Sequence, residues 1–346
     1  MISTVFIGVN ALDTSRNDIC LDLPAHSPVT HGMLRIQAEV DGDIIRRARP
    51  ILGSMHRGAE KLFESRDYRQ ILMLANRHEW LSPFSGEVGV AQLLESALGI
   101  EVPNDAQQLR KLLLSYSTVT SHLAFLAGFP WSNGEIGQAL RVERERWVEH
   151  FHTYVGTRMH PMITRIGGLT HAPTGTWLAH IPELVSHCTE VLSTTSQQLA
   201  GEGQLNEIGI ITDIDVVDFA LSGPSSHPGD VYSRLELLVK QTFEASAEAN
   251  ALATSLATHT FGDVNVLLPK VLRVPEGSYE HSIDTPLGTA SWFLVSRGDK
   301  MPYRLKLRPS SLHTVLALSA ALRDAHISDA AKIIASMPFL TGDAER

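Results

Sequence analysis

The strongest constraint on the fold is a change of hydrophobic period at about residue 86. Beyond this point, apolar residues recur at helical spacing over stretches long enough for several turns each. In one stretch Leu235, Leu238 and Val239 fall on a single face together with Phe243, which predicts a helix packed on a core. The sequence therefore predicts a central bundle of long helices, at residues 87–98, 104–126, 135–154, 177–199 and 232–259.

Short alternating runs flank this bundle on both sides. Residues 34–40 and the run from residue 44 flank an Asp-Gly-Asp turn, which predicts a β-hairpin in a small N-terminal β module. Residues 292–295 and 303–307 predict a second hairpin.

The C-terminal region combines that second hairpin with helices. Ser310 or Ser311 can cap a helix that runs to about residue 322, and Ser328 can cap another. The predicted fold class is therefore α+β, with a small antiparallel β module over residues 1–60. One integrated domain over residues 61–346 then holds the helical bundle, the C-terminal hairpin and its helices.

Composition excludes several classes of function. The 346 residues carry a formal net charge of −9 with scattered Lys and Arg, so we expect no nucleic-acid partner. The two cysteines, Cys20 and Cys188, are too few for a disulfide framework or an iron–sulfur cluster, so any redox centre must come from a partner. No uncharged window of about 18 residues predicts a membrane-spanning helix. The first ten residues lack a signal-peptide pattern, so export is not expected.

The histidines do not predict a metal site. His150 and His152 form the tightest pair, but residues two apart on a helix point about 200° apart and cannot share a metal. His26 and His31 are separated by a proline-containing turn and have no acidic or cysteine cluster beside them. An independent hydrolase is also disfavoured, because the sequence has neither a nucleophile elbow nor convincingly spaced catalytic acids.

Several strings spread over nearly the whole chain carry a specific resemblance. They are MHRGAEKLFESRDYRQ (residues 55–70), NRHEWLS (76–82), GIEVP (99–103), SHL (121–123), RIGG (165–168) and MPYRLKLR (301–308). Together they resemble the D-type subunit of NADH-quinone oxidoreductase (respiratory complex I), in a divergent actinobacterial-type branch. This resemblance implies a fold like that of the large subunit of nickel-iron hydrogenases, to which the family is related.

The resemblance also excludes nickel. The hydrogenase metal is held by two pairs of cysteines, and the positions that match the first pair here are Glu79 and Ser82. The C-terminal stretch, residues 337–343, contains no cysteine either. Without thiolates we expect no nickel in this chain.

The resemblance implies a quinone site at two positions. His31 lies in PVTHG (residues 28–32), which matches a family turn whose histidine reaches the quinone headgroup. An imidazole can donate a hydrogen bond and a proton there, whereas a lone loop histidine would only satisfy turn backbone. Trp80 stands where the family has a quinone-binding tyrosine. Its indole keeps an N–H donor and a stacking face but supplies no proton.

Ser132 and the segment after residue 224 depart from the family pattern, whereas Arg57 and His160 match it. Ser132 stands where a family carboxylate pairs with the quinone histidine, so the expected acid is missing and the pKa of His31 is expected to be lower than in the family. The aromatic-rich segment that follows Ser-Gly-Pro (residues 222–224) is shortened. Arg57 and His160 match a cation and an imidazole that lie near the terminal iron–sulfur cluster of the neighbouring subunit.

The resemblance thus implies a subunit of NADH-quinone oxidoreductase that holds no cofactor and binds no NAD itself. We expect it to form a quinone-reduction site beside the 4Fe-4S cluster of a B-type subunit. Further expected partners are C-type and I-type subunits and the H-type subunit of the membrane arm. The expected location is peripheral, on the cytoplasmic face of the cell membrane. The alternative is a non-catalytic scaffold in a complex I-like or hydrogenase-like assembly.

Overall fold

The computed structural model of the chain describes residues 2–8, 19–21, 34–211 and 229–345. Its strands are β1 (Ile2–Gly8), β2 (Ile19–Leu21), β3 (Arg35–Asp41), β4 (Ile44–Ile51), β5 (Thr164–Arg165), β6 (Gly168–Leu169), β7 (Gly277–Thr285), β8 (Gly288–Ser296) and β9 (Arg304–Arg308). Its helices are α1 (Ala59–Glu64), α2 (Tyr68–Asn76), α3 (Pro83–Leu98), α4 (Asn104–Gly128), α5 (Gly134–Val155), α6 (Gly175–Ala179), α7 (Ile181–Gly201), α8 (Val231–Leu256), α9 (Ser310–Ala321), α10 (Ala330–Ala335) and α11 (Thr341–Ala344). The predicted α+β class is confirmed.

The N-terminal sheet has the strand order β2-β1-β3-β4. The predicted hairpin is confirmed as β3 and β4, and Gly42 supplies the positive φ of 60° that their turn requires. One pair differs from the antiparallel module that we predicted, because β2 runs parallel to β1. The Ile45 N–H donates to the Ala325 carbonyl at 2.9 Å, which ties this sheet to the C-terminal helices. The domain boundary at residue 60 stays a prediction.

Four of the five predicted long helices are confirmed as α3, α4, α5 and α8. Residues 177–199 differ, because α6 ends before α7 begins and Pro182 lies in the first turn of α7. A proline has no N–H and favours the start of a helix over its interior. Helix α1 lies within the first of the strings that carry the resemblance, and α2 begins in it. Neither was predicted as a helix.

Two glycines let α3 lie at the centre of the molecule. A Cβ added at Gly86 would lie 2.4 Å from the carbonyl oxygen of Ala75 at the end of α2. A Cβ at Gly89 would lie 2.8 Å from Nε1 of Trp292 on β8. Because neither glycine has a Cβ, α3 can approach both the end of α2 and the C-terminal sheet closely. These contacts position the α2–α3 turn, residues 77–82.

The C-terminal sheet is antiparallel, in the order β7-β8-β9. The predicted second hairpin is confirmed as β8 and β9, whereas β7 was missed. Most of β7 is exposed or half-buried, so its sequence GSYEHSIDT lacks the alternating apolar residues that predict a strand. The predicted serine cap of α9 is also wrong, since the N-cap is Pro309 and the Ser311 hydroxyl accepts from the Leu340 N–H at 3.0 Å.

A buried ion pair fixes the RIGG turn between β5 and β6. Arg110 on α4 donates to both carboxylate oxygens of Glu95 on α3, at 2.7 and 2.8 Å. The same guanidinium donates to the carbonyls of Arg165 and Gly168, while the Gly167 N–H donates to Glu95 at 2.7 Å. The bidentate geometry and the added backbone bonds are what a buried pair needs to compensate for its desolvation.

We predict that Gly86→Ala lowers the free energy of unfolding by about 1–3 kcal/mol, because the new methyl group overpacks the α2–α3 contact. Urea unfolding of the full chain measures this change. Gly134→Ala is the matched control, since a Cβ there meets nothing within 4 Å. Equal stabilities of the two variants would contradict the close approach of α2 and α3.

Candidate functional site

The α2–α3 turn carries Trp80, and the SHL string on α4 holds it in place. The Ser121 hydroxyl donates to the carbonyl of Leu81 at 2.8 Å. His122 Nε2 donates to the carbonyl of Pro286 in the β7–β8 turn at 3.0 Å. Burial lowers the pKa of His122 to about 4, so its ring is neutral near pH 7. The string therefore attaches both turns to α4.

The second part of the site is the segment of residues 156–163 that follows α5. Gly156 ends α5 with a φ of 78°, and Met162 takes a positive φ of 51°. The buried carboxylate of Glu87 on α3 accepts from the N–H groups of Met162 at 2.8 Å and Thr164 at 3.0 Å. It also accepts from the side-chain amide of Asn76 at the end of α2. One carboxylate thus joins this segment to the end of α2, directly before the α2–α3 turn.

His160 lies in this segment, half-buried against the end of α2. Its ring bonds to the backbone of Asn76, while the buried Nδ1 has no partner among the residues that the structure describes. Burial and then the charge of Arg77 lower the pKa of His160. The structure thus brings Arg77 to His160, a neighbour that the sequence analysis missed although Arg77 lies in the same string as Trp80.

Arg57 lies in a segment that is close in space to Glu345. The residues beside it meet Glu345, since the Met55 N–H donates to its carboxylate and His56 Nδ1 lies 3.2 Å from its carbonyl oxygen. Arg57 and Arg77 are both exposed. Each is therefore accessible to a partner subunit, but only Arg77 is near His160.

Trp80 is half-buried and lines a narrow cleft of about 40 Å³. Tyr116 and Arg144 form part of its wall, and the exposed Met159 lies on its rim. Met162, on the other side of His160, lines a wider cleft of about 360 Å³ with Met73 of α2. The segment around His160 therefore contributes to the walls of two clefts, and Trp80 lines the smaller one.

Tyr116 was not predicted from sequence, yet it is fully buried beside the Trp80 cleft. Its hydroxyl lies 2.7 Å from Nδ1 of His150, and Nε2 of His150 lies 3.1 Å from the carbonyl of Trp177. A carbonyl only accepts, so Nε2 carries the proton and Tyr116 donates to Nδ1. Burial lowers the pKa of His150 to about 4 and raises that of Tyr116 well above its usual value. The pair is therefore neutral near pH 7.

Ser132 stands where the sequence predicts that the family acid is missing, and in the fold it bonds to a carboxylate from elsewhere in the chain. The Ser132 N–H donates to Glu202 at 3.0 Å, and the Ser132 hydroxyl bonds to the same oxygen. Gln198 and Gln204 also donate to Glu202. Burial by itself would raise the pKa of Glu202, but these donors outweigh it and lower the pKa. Counting along the chain missed this acid because it comes from the end of α7, 70 residues away.

Carboxyl and hydroxyl groups fill the positions that match the hydrogenase cysteines. Ser82 shares hydrogen bonds with Ser85 at 2.5 Å and Ser117 at 3.2 Å. Burial and the nearby charge of Asp343 raise the pKa of Glu79 well above its usual value. Within the described ranges, no three His, Cys, Asp or Glu side chains are grouped to hold a metal ion.

Part of the predicted site lies outside the described residues. His31 with its PVTHG turn, and the Ser-Gly-Pro at 222–224, fall in the undescribed ranges 22–33 and 212–228. Their predicted roles stay predictions. Of the part of the chain that is described, no helix is both long and apolar enough to cross a bilayer.

Comparison with known proteins reveals relatives over nearly the whole chain. A sequence model of the family described as "Respiratory-chain NADH dehydrogenase, 49 Kd subunit" matches residues 138–232 and 237–346. The chain is 36% identical to a D-type NADH-quinone oxidoreductase subunit of Streptomyces coelicolor, over 99% of the chain and 98% of the relative. It is 35% identical to a D-type subunit of Streptomyces griseus, over 99% and 96%. The D-type subunit of Bacillus cereus is 26% identical, over 95% and 98%.

We predict that Ser121→Ala costs about 1–3 kcal/mol of stability, because it leaves the buried carbonyl of Leu81 without its donor. Ser193→Ala serves as the control, since its hydroxyl makes the same kind of bond, to the Thr189 carbonyl, on an exposed helix face. Chemical denaturation of both variants gives the comparison. If Ser121→Ala were as stable as the control, the α4 anchor of the turn would be refuted.

Proposed function

Since this chain belongs to the 49 Kd subunit family of respiratory-chain NADH dehydrogenase, we propose that it forms the quinone-reduction site of an NADH-quinone oxidoreductase with an iron–sulfur partner. The observation that carries the proposal is the set of hydrogen bonds that Glu87 accepts from two parts of the chain. It holds the turn that bears Trp80 against the segment that bears His160. A quinone-binding group and a group facing an electron donor are thereby held on one rigid support.

In this proposal Trp80 binds the quinone headgroup. Its indole face stacks on the ring and its N–H donates to a carbonyl, while the protons for reduction come from other groups. The described cleft of about 40 Å³ is smaller than a typical ligand site. The ring therefore enters only when side chains that line the cleft move. Met159 and Arg158 are both exposed, and Met159 is the more adaptable apolar one. His31 is proposed as the second headgroup ligand and as a proton donor.

The partner's 4Fe-4S cluster is proposed to lie beside His160 and Arg77. The unpartnered Nδ1 of His160 and the exposed guanidinium of Arg77 are the groups that fit an electron donor outside this chain. A nearby cation favours the more negative, reduced form of a cluster and raises its potential. Arg57 keeps its proposed role only if the partner also covers the surface near Glu345.

The proposed setting follows from the family. The chain would hold no cofactor of its own and would contact B-type, C-type, I-type and H-type subunits. It would lie on the cytoplasmic face of the cell membrane, held there by its partners. Two observations favour the scaffold alternative. The cleft is smaller than a typical ligand site, and the indole at position 80 provides no exchangeable proton.

We expect Trp80→Ala to lower kcat/KM for quinone about tenfold in the intact assembly, because the lost stacking contact is worth about 1.4 kcal/mol. The assembly is purified from native membranes by affinity, its chains are identified by mass spectrometry, and NADH:quinone turnover is measured. His31→Ala is expected to lower kcat as well.

Phe293→Ala, which truncates an exposed aromatic side chain on β8, is the control for these variants. Intact assemblies with unchanged turnover in both Trp80→Ala and His31→Ala would favour the scaffold. Failure to recover iron–sulfur and membrane-arm partners would rule out both proposals.

A second prediction separates the two arginines. Arg77→Gln is expected to lower the midpoint potential of the partner's cluster, because it removes a positive charge near His160. Arg57→Gln is expected to change it less. Redox titration of the cluster signal in the purified assembly measures both, and a larger effect of Arg57→Gln would assign the cluster to the other surface.

A further inference from the structure

We propose that Glu79, His78 and Asp343 form a buried store for one exchangeable proton, completed by a single water molecule. This store would serve quinone reduction in the neighbouring Trp80 cleft, a role that rests on the proposed function. The three side chains lie in the α2–α3 turn and in α11, and all are less than a tenth exposed. They line one small cavity together with Thr285, Ser85 and other neutral residues.

The hydrogen bonds fix which atoms are available. His78 Nδ1 lies 2.7 Å from a carboxylate oxygen of Asp343, so Nδ1 carries a proton and donates it. The other oxygen of Asp343 accepts from the Ser311 N–H at 3.3 Å. Glu79 bonds to the side chain of Thr285. Among the residues that the structure describes, Nε2 of His78 and Oε1 of Glu79 have no partner, and both atoms are buried.

Three buried polar atoms on residues that line this cavity have no partner in the described part of the chain: Nε2 of His78, Oε1 of Glu79 and Nε1 of Trp292. Together they indicate a ligand that bonds to them. Leaving each unsatisfied would cost about 1–3 kcal/mol, so an occupant is favoured. The cavity volume is about 10 Å³, close to the smallest volume that holds one water molecule. A water can accept from a protonated Glu79 and from the Trp292 N–H, and it can donate to Nε2 of His78, which satisfies all three atoms.

The water also gives the proton two positions. The O–H bond of Glu79 breaks as the water gains that proton, and one of the water's own O–H bonds breaks as an N–H bond forms at Nε2 of His78. Glu79 is then a carboxylate, and His78 is an imidazolium paired with the carboxylate of Asp343. The net charge of the three groups is −1 before and after the transfer, so no further charge is buried.

Charge in the cavity favours keeping one proton on this group. Among the residues that line it, His78, Glu79 and Asp343 are the ones that titrate, whereas β7, β8 and α3 contribute neutral side chains such as Thr285 and Ser85. Burial and the negative charge of Asp343 raise the pKa of Glu79. The neighbouring Trp80 cannot donate a proton to a quinone, whereas this group can.

The first test is the pH dependence of stability in the full chain. An acid whose pKa is raised on folding holds its proton more tightly in the folded state, so its stabilisation is present below the unfolded pKa and is lost as pH rises toward the folded one. Glu79→Gln keeps the neutral shape without a titrating group. We expect its Tm to exceed that of the unsubstituted chain by a margin that grows roughly 2 °C per pH unit above about pH 5.

Glu280→Gln, which neutralises an exposed carboxylate on β7, controls for net charge and should show no growing margin. A margin for Glu79→Gln that stays constant from about pH 5 to about pH 8 would overturn the store. His78→Asn supplies a second variant, because its amide N–H replaces Nδ1 as donor to Asp343 while the acceptor Nε2 is lost.

The second test is turnover in the intact assembly. Glu79→Gln and His78→Asn should each slow quinone reduction about tenfold and change its pH profile, while NADH still reduces the partner's cluster. If both variants turn over normally while Trp80→Ala slows quinone reduction, the role of the store in quinone reduction is overturned. If Trp80→Ala is also fast, it is the quinone site that fails, and the Tm measurement alone then decides on the store.

Discussion

The candidate site depends on one buried carboxylate, that of Glu87. It accepts from Asn76 at the end of α2 and from the N–H groups of Met162 and Thr164, which lie 75 and 77 residues further along the chain. Those backbone donors belong to an irregular segment and would otherwise be buried without partners. Burial raises the pKa of Glu87, and the hydrogen bonds from these donors oppose that rise.

The rest of α3 also makes close backbone contacts and carries a second buried carboxylate. Gly86 and Gly89 allow a backbone carbonyl and an indole to approach the backbone of α3 closely. Further along the helix, Glu95 pairs with Arg110 and holds the RIGG turn. Such a helix has little solvent-facing surface to vary. Its position fixes the turn that bears Trp80 and the backbone that follows His160, and it does so through several independent contacts.

Protons are distributed unevenly around the site. His122, His150 and Tyr116 are neutral near pH 7 because burial opposes their charged forms. These groups therefore maintain the geometry of the site and do not exchange protons near that pH. Glu79 differs, since it combines a raised pKa with an unpartnered oxygen in a cavity. A tryptophan at position 80 makes this difference functionally relevant, because the protons for any reduction in its cleft must come from outside the indole.

From the residues alone we predicted the α+β class, the long helices α3, α4, α5 and α8, both hairpins and the family, because hydrophobic period, turn residues and long strings are local properties. Strand β7 was missed, because its exposed face removes the alternating pattern. Packing of the folded chain set the pairings His78 with Asp343, Arg77 with His160 and Ser132 with Glu202. These partners are 265, 83 and 70 residues apart, and they meet because a buried polar group must find a partner wherever packing places one.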